Sequence, residues 1–580
     1  QIIVSNAYPY QISTAKTITI DSAAGITING MFYWPLAIAG TGNIDAKNGS
    51  IYIEKDSTSI QPNIFKNNLI YNLQIDAKNK VDFLDSIVIV NSLTIFNGSF
   101  QAKHLTLLHE AQINSSGNNT QVIAQTTVHK NYNIREGQTK LLALPFSNKS
   151  SLKSFRNSIA ITGSGGPSSG FDSSSHQHTS VYYLDSTSNH YSHLNYKTFT
   201  KIDSSFLEPN SALKIWLYPK DSTYINEIPF LVSKKQEAIV DIITHGIPQH
   251  GPLEIRFPNY PLTRYYLTGN PYPAAIDISK ITSSSSIGKY YWQWDASLGT
   301  TGNYTASFFK HPRVVQKLEG FVIKNTAASD GYLFYDERTK INLNDRIDTN
   351  RYKSEYAHIS LEFVQENNLL DKLEIIGIDS ASSRFEKWDA EKINENEICF
   401  YSISRDSIPL CIDARPFTNN VFIPIGIQCK KTGKYKLACS EYIIASDMAA
   451  YFHDKRLNKY QKIMLDSAYT FEITSDSTTT GEHRFEITGP PPPPLQEDPI
   501  IASITPNPVQ NQLRVHFSFR EALPYEIEVH NISGRLLLAK TFGASKTGIA
   551  SINAQTLLTG HYFAIIKAGK HYIQKQFIKL

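Results

Sequence analysis

The sequence predicts an all-β protein, with several β-sandwich domains of Ig-like or jelly-roll-like type behind an N-terminal β-solenoid-like region. Three observations carry that expectation. Tyr (32) and Phe (29) are abundant beside frequent Ile, Thr and Ser, whereas Met is scarce at 3, and aromatic and β-branched side chains suit a pleated, half-buried surface. Apolar residues recur with period two in short segments, while long stretches of helix-period apolar residues are hard to find. Gly, Pro and Asn punctuate those segments at short intervals. At 580 residues the chain is too long for one core, and length alone suggests about four domains.

Charge narrows the function classes. Lys plus Arg number 56 against 52 acidic residues, a net charge of +4, and without a basic tract this gives no footing to a nucleic-acid partner. No apolar run is long enough to span a bilayer, so no transmembrane segment is expected. The chain starts at Gln1 without Met, basic leader or apolar targeting segment, as expected after signal-peptide removal.

Residues 1–126 offer very short strands: Ile26 to Ile28, Ile51 to Ile53, Leu73 to Ile75, Val81 to Phe83, Val88 to Val90, Leu93 to Ile95 and Leu105 to Leu107. Each has two inward positions and buries little alone, so stacking as rungs of a parallel solenoid is expected, with an antiparallel sandwich as the alternative. The period is too irregular to define a repeat family. An extended scaffold or contact surface follows from that shape.

Residues 127–353 read as a larger sandwich containing an echo of itself. Leu141 to Phe146, Tyr182 to Asp185, and Phe206 to Pro209 leading into Leu213 to Trp216 are matched in order by Tyr265 to Pro273, Tyr290 to Asp295 and Leu318 to Ile323. Gly269-Asn270 and the two prolines of Gly-Asn-Pro-Tyr-Pro fix a rigid corner on which Tyr272 can pack; this segment resembles one found in large multidomain surface proteins of Bacteroidetes. Tyr291, Trp292 and Trp294 could stack on carbohydrate, but alternating aromatics on a strand favour a core. Between the echoes, His176, His178, His190 and His193 follow a Gly/Ser-rich loop; with no carboxylate or Cys in a fixed motif beside them, a solvated loop is favoured over a metal site.

Residues 354–489 form a second sandwich, with clean alternation over Ile359, Leu361 and Phe363 and a hairpin about Thr432-Gly433. It carries all four cysteines, Cys399, Cys411, Cys429 and Cys439. Disulfides are reasonable in an exported protein, with three connectivities open and Cys399 facing Cys411 across a hairpin as one; free buried thiols are the alternative. Zinc is disfavoured by the spacing. Asp371, Asp379, Asp389 and Glu391 lack the order of a calcium loop and read as surface charge. Residues 490–499, with five consecutive prolines, form a stiff spacer.

Residues 500–580 hold seven short apolar segments between turn residues, the clearest alternating over Leu513, Val515, Phe517 and Phe519. Four pieces occur in order: Thr505-Pro506-Asn507-Pro508, Asn531-Ile532-Ser533-Gly534-Arg535, Leu558-Thr559-Gly560-His561-Tyr562-Phe563, and Gln576-Phe577-Ile578-Lys579-Leu580. Together they resemble the C-terminal (Por-type) sorting domain of type IX secretion cargo in Bacteroidetes. The resemblance implies an Ig-like sandwich of seven strands that serves as an address, with Pro506, Asn507, Pro508, Gly534, Gly560, Tyr562, Lys579 and Leu580 as its sorting motif. It further implies export past the outer membrane, a location on the cell surface or outside the cell, the type IX secretion machinery as partner, and frequent removal of the domain afterwards.

Catalytic signatures are not found: there is no Gly-x-Ser-x-Gly elbow, His-Glu-x-x-His, phosphate loop or dinucleotide fingerprint. No enzyme and no cofactor are expected. Asp-Ser followed by Ala, Thr or Ile recurs nine times before the spacer and never after it. It resembles the O-glycosylation acceptor of Bacteroidetes, which would place glycans on Ser22, Ser57, Ser86, Ser186, Ser222, Ser380, Ser407, Ser467 and Ser477; Asp-Ser is also an ordinary turn dipeptide. The sequence therefore leads to an exported structural or adhesive protein, a candidate subunit of an extracellular filament through self-association. The alternatives are a protein that binds or degrades surface glycans, and cargo held on its secretion machinery.

Overall fold

The computed structural model describes residues 2–4, 17–116, 120–135, 138–174, 178–187, 194–218, 220, 237–258, 264–299, 301–341, 357–395, 397–491, 500–569 and 571–580. Strand makes up 61% of the chain and helix 4%, which confirms an all-β fold. Two compact units result, Gln1–Pro490 and Pro491–Leu580. The proline spacer at 492–499 lies outside the described residues.

The body begins as a stack of parallel rungs. Ile26 pairs with Ile44, Ile44 with Phe65, Ile53 with Ile75, Thr58 with Val81 and Leu107 with Val128, every ladder parallel. The offset between paired rungs varies from 18 to 24 residues, which is why no fixed period shows in the sequence. Inside, the rings of Phe32, Trp34, Phe65, Phe83 and Phe100 follow one another at centroid distances of 5.4 to 6.4 Å. Outside, Asn91 donates to Asn72 (2.7 Å) and Asn72 to Ser50 (3.0 Å), so amides step from rung to rung. Gly98, at φ +79°, turns a corner where a Cβ would stand 2.2 Å from two carbonyl oxygens.

The last rung is sealed by the body. Strand Glu237–Gly246 pairs antiparallel with Gln121–Arg135, from Thr126↔Gly246 to Arg135↔Glu237. A domain boundary at 126 therefore falls inside a strand, and one apolar cluster runs from Ile20 through the rungs to Leu213, Ile215 and Ile242. Two buried lysines pin the stretch just before the last rung. Lys317 donates to the Leu108 and Ala111 carbonyls (3.1 and 2.7 Å), and Lys340 to the Ile113 carbonyl (2.9 Å) and Glu337 (2.9 Å). Burial pushes the Lys317 ammonium down to about 7, because removing a cation from water disfavours its charged form.

The echo proves to be a topological duplication. Strands Gln138–Ala143, Ala212–Leu217, Val181–Leu184 and Tyr196–Thr198 form one four-stranded antiparallel sheet in that spatial order. Arg264–Gly269, Gly320–Asn325, Ile287–Asp295 and Asn303–Phe308 form a second, with the same order of first, last, second, third. The turn before the last strand recurs too: Ser211 N–H bonds the Glu208 carbonyl and Glu319 N–H the Gln316 carbonyl, with Asn210 at φ +58° and Leu318 at φ +63°. Leucine is uncommon at positive φ; here the Leu318 carbonyl is held by the Ala143 N–H (3.2 Å) and the Tyr132 hydroxyl (3.4 Å).

Residues 357–488 form one eleven-stranded sheet. It folds over, because strands far apart in its order touch: Phe471 packs on Phe485 at 4.8 Å, and the Tyr469 hydroxyl bonds Asp454 at 2.9 Å. The result is a single buried cluster from Ile359 to Ile487. This element is fastened to the second duplicated sheet. Trp292 Nε1 donates to the Glu391 carbonyl (3.0 Å), the Tyr290 hydroxyl to the Trp388 carbonyl (2.7 Å), and Tyr265, Trp292, Tyr304, Val322 and Ile412 share one apolar cluster.

Two expectations for this region need correction. Asp371, Asp389 and Glu391 are not surface charge but buried: Asp371 pairs with Lys392 (2.6 Å), Glu391 with Lys324 (2.5 Å), and Asp389 accepts the Ala414 and Glu386 N–H groups (both 2.8 Å). Only Asp379 of the four is exposed. The four cysteines are free and buried rather than disulfide-bonded. Ser402 pairs with Leu410, so Cys399 and Cys411 are out of register across their hairpin. Each thiol instead points at a local acceptor, Asn394 for Cys399, the Glu391 carbonyl for Cys411, the Tyr435 hydroxyl for Cys429 and the Glu441 carbonyl for Cys439 (3.0 to 3.4 Å).

Candidate functional sites: the terminal address and a cleft in the body

In the terminal unit five continuous strands are present, Ile500–Ile504, Gln512–Asn531, Leu536–Asn553, Gly560–Ala568 and His571–Lys579. Register breaks interrupt the second and third, and the seven strands that the resemblance implies run together into five. The sorting pieces come together in space. Asn507 Oδ1 accepts the Ile578 N–H (2.9 Å), the Val509 N–H bonds the Ile578 carbonyl (2.7 Å), and the Leu580 N–H bonds the Val509 carbonyl (2.9 Å). The Pro506-Asn507-Pro508 segment thus clasps the last strand. Phe577, fully buried, lies over Tyr562 at 5.7 Å, and the Tyr562 hydroxyl reaches back to the Leu558 carbonyl (2.8 Å). Gly560 passes just beside the Tyr562 ring. Gly534, at φ +80°, closes a turn in which Asn531 Oδ1 accepts from Ser533 and Arg535 N–H. Lys579 is buried, and the Leu580 side chain is exposed.

The body holds a cleft of about 1470 Å³ where the two duplicated sheets meet residues 365–431. Alternation explains its lining. On the first sheet Val181, Leu213, Ile215 and Leu217 point into the solenoid-side core, so Tyr182, Tyr196, Lys214 and Trp216 face the cleft. On the second sheet Tyr291 enters one core and Trp292 another, which settles both as packing residues; Trp294, one pair further along, is half-buried and lines the cleft. At its floor Lys214 pairs with Glu395 and sits 4.6 Å from the Trp294 ring and 4.7 Å from the Tyr196 ring. The Tyr196 and Tyr304 hydroxyls bond each other at 2.6 Å. Amide side chains stud the walls: Gln138, Gln293, Asn303, Gln316, Gln365 and Asn368.

Of the histidine group, His176, His190 and His193 lie outside the described residues, and His178 packs against Tyr218 at 6.3 Å. Among the described residues no His, Cys, Asp or Glu group has metal-binding geometry. No helix among them is long and apolar enough to cross a membrane.

Sequence comparison agrees with the clasped tail. Residues 503–580 match the family described as secretion system C-terminal sorting domain, and the class this defines is exported cargo carrying a terminal address. The chain is a type IX secretion cargo protein, directed to the cell surface or the extracellular space and recognised by the type IX machinery. Residues 221–488 match a domain of unknown function, DUF8693, a span that holds the second duplicated sheet and the folded sheet with their shared cluster. No curated protein matches. A solved structure titled "Biofilm associated protein - BSP domain" aligns over 78% of this chain and 92% of its own at 8% identity, with a TM-score of 0.12, too slight a likeness to argue from.

Proposed function

We propose that the body works by contact outside the cell, as a non-catalytic adhesive or structural protein and a candidate subunit of an extracellular assembly. The observation that carries this reading is an export address joined to a body whose buried ionisable groups serve the fold. Lys324, Lys392, Asp371 and Glu391 are used in ion pairs, and Lys317 and Lys340 in fastening the stretch from Leu108 to Ile113. Stacked rungs followed by duplicated sheets also give a long surface with many side chains to offer. A strain lacking the protein, complemented with the full chain, tests the reading. The expected outcome is loss of attachment to surfaces or neighbouring cells, or of surface fibres seen by electron microscopy, restored on complementation. Unchanged attachment together with an unchanged surface would overturn it.

The same reading includes O-glycans on the Asp-Ser sites. Ser22, Ser57, Ser380, Ser407 and Ser477 are exposed, Ser86, Ser186 and Ser467 are half-buried, and Ser222 lies outside the described residues. In Asp185-Ser186-Thr187 and Asp476-Ser477-Thr478 the carboxylate accepts the threonine N–H (2.9 Å in both) and hydroxyl (2.6 and 2.8 Å). At these two sites the turn is built by the carboxylate and the threonine; at Asp466-Ser467-Ala468 the serine hydroxyl accepts the Met464 N–H (2.9 Å). Intact-mass measurement of protein from the native host is expected to exceed the sequence mass in glycan increments; a mass equal to the bare chain removes the idea.

A further inference from the structure

We propose that the cleft between the duplicated sheets and residues 365–431 is a binding site for a neutral oligosaccharide. The proposal rests on the reading of the protein as one that acts by contact, and it names what is contacted. Four properties of the cleft lead to it.

The first is size: about 1470 Å³ exceeds the ~300–1,000 Å³ of a typical small-molecule pocket, so an extended ligand fits better than a single sugar. The second is the aromatic content. Tyr182, Tyr196, Trp216 and Trp294 are half-buried and line the cleft, with Tyr196 and Trp294 backed by the cluster that holds Tyr265 and Trp292. The Tyr182 and Tyr196 hydroxyls already bond the Thr179 carbonyl (2.7 Å) and Tyr304 (2.6 Å), which fixes these rings in place. Rings held in this way offer apolar faces at little entropic cost, and the C–H face of a pyranose is the complementary shape.

The third is polar chemistry. Six amide side chains line the walls; Asn303 is spent on the Ile398 carbonyl and the Tyr304 N–H, while the other five each present a donor and an acceptor side by side, matching the vicinal hydroxyls of a sugar. Gln293 Oε1 is buried and has no hydrogen-bond partner among the described residues, an acceptor left over for a hydroxyl. The fourth is charge. Lys214 is neutralised by Glu395, Lys430 by Glu397 (3.1 Å), and Asp295 is engaged by Ser297 N–H and hydroxyl (2.9 and 2.6 Å). Lys140, Arg313 and Lys431 line the cleft as well, beside Glu319, so five cations face four carboxylates; a lining so close to neutral favours an uncharged ligand.

The test is a glycan array carrying neutral gluco-, manno- and galacto-oligosaccharides, acidic glycans, and a panel of unstructured peptides, probed with the full chain. Binding to neutral oligosaccharides is expected, reduced about tenfold or more in Trp216→Ala and, without loss of a ring, in the Gln138→Ala/Asn368→Ala double variant. Thermal melting of each variant confirms folding; the double variant changes half-buried and exposed polar residues only, so its fold is expected to survive even if the Trp216 variant fails. A flat neutral set, preference for acidic glycans or peptides, or neutral binding that the folded double variant retains in full would overturn the proposal. The attachment phenotype of the same variants keeps the two readings apart. A flat array with attachment intact sinks the glycan site alone, and a deletion strain that attaches normally with an unchanged surface sinks the contact role whatever the array shows.

Discussion

Removing Phe577 to Leu580 is expected to abolish surface display and leave the protein inside the cell envelope. The physical reason is that these four residues are both label and clasp. Phe577 is fully buried against Tyr562, and loss of a buried Phe side chain costs ~3–5 kcal/mol. The truncation also removes the last-strand partners of Asn507 and Val509, each backbone bond contributing ~0.5–1.5 kcal/mol. Against the ~5–15 kcal/mol that holds a domain together, the terminal unit would be largely unfolded. A second substitution separates recognition from folding. The Leu580 side chain is exposed, so Leu580→Ala should keep the unit folded and report on what the secretion machinery reads. Fractionation and protease shaving of intact cells measure both, and normal display of the truncated chain would refute the address.

The second large effect is expected at the buried Arg484–Asp454 pair. Asp454 Oδ2 receives Arg484 Nη2 (2.9 Å), Arg484 Nε (3.2 Å) and the Tyr469 hydroxyl (2.9 Å), while its Oδ1 takes the Arg456 and Leu457 N–H groups. The guanidinium lies between Phe471 and Phe485 at 4.9 and 4.7 Å from their ring centres. Asp454→Ala would leave that cation buried with no counter-charge, a loss of ~3–5 kcal/mol. Asp454→Ala with Arg484→Met removes both charges and should recover much of the loss, since a buried pair replaced by apolar groups is often close to neutral. Hydrogen exchange over Tyr451–Asp454 and Gly481–Thr488 reads the local opening free energy. Equal protection in the single and double variants would mean that the pair does not close this sheet.

These effects bear on what a sequence can reveal. Alternation in Leu513, Val515 and Phe517, and the ordered sorting pieces, identified the terminal unit because its signals are local and its turns are spelled by Asn, Gly and Pro. The echo was legible for the same reason: Tyr-Tyr-Leu and Tyr-Tyr-Trp strands recur in order, and strand order followed. Rung stacking was read from strand length, but its last rung was cut too early because the closing strand Glu237–Gly246 lies far along the chain. Asp371 and Glu391 were misjudged as surface charge since their partners, Lys392 and Lys324, are found only after the fold has brought them together. Alternation assigns Trp294 to a core together with Tyr291 and Trp292, and the amides from Gln138 to Asn368 carry no local mark of a shared cleft.

The continuity of apolar packing across the body has a practical meaning for anyone who cuts the gene. A fragment that stops at 126 would cut strand Gln121–Arg135 short and bare the rung beneath it, and one that starts after 353 would strip Ile412 and Cys411 of the tryptophan and tyrosine rings that shelter them. Both pieces would be sticky and short-lived in solution. Scissors belong at Pro490, the border between the two compact units.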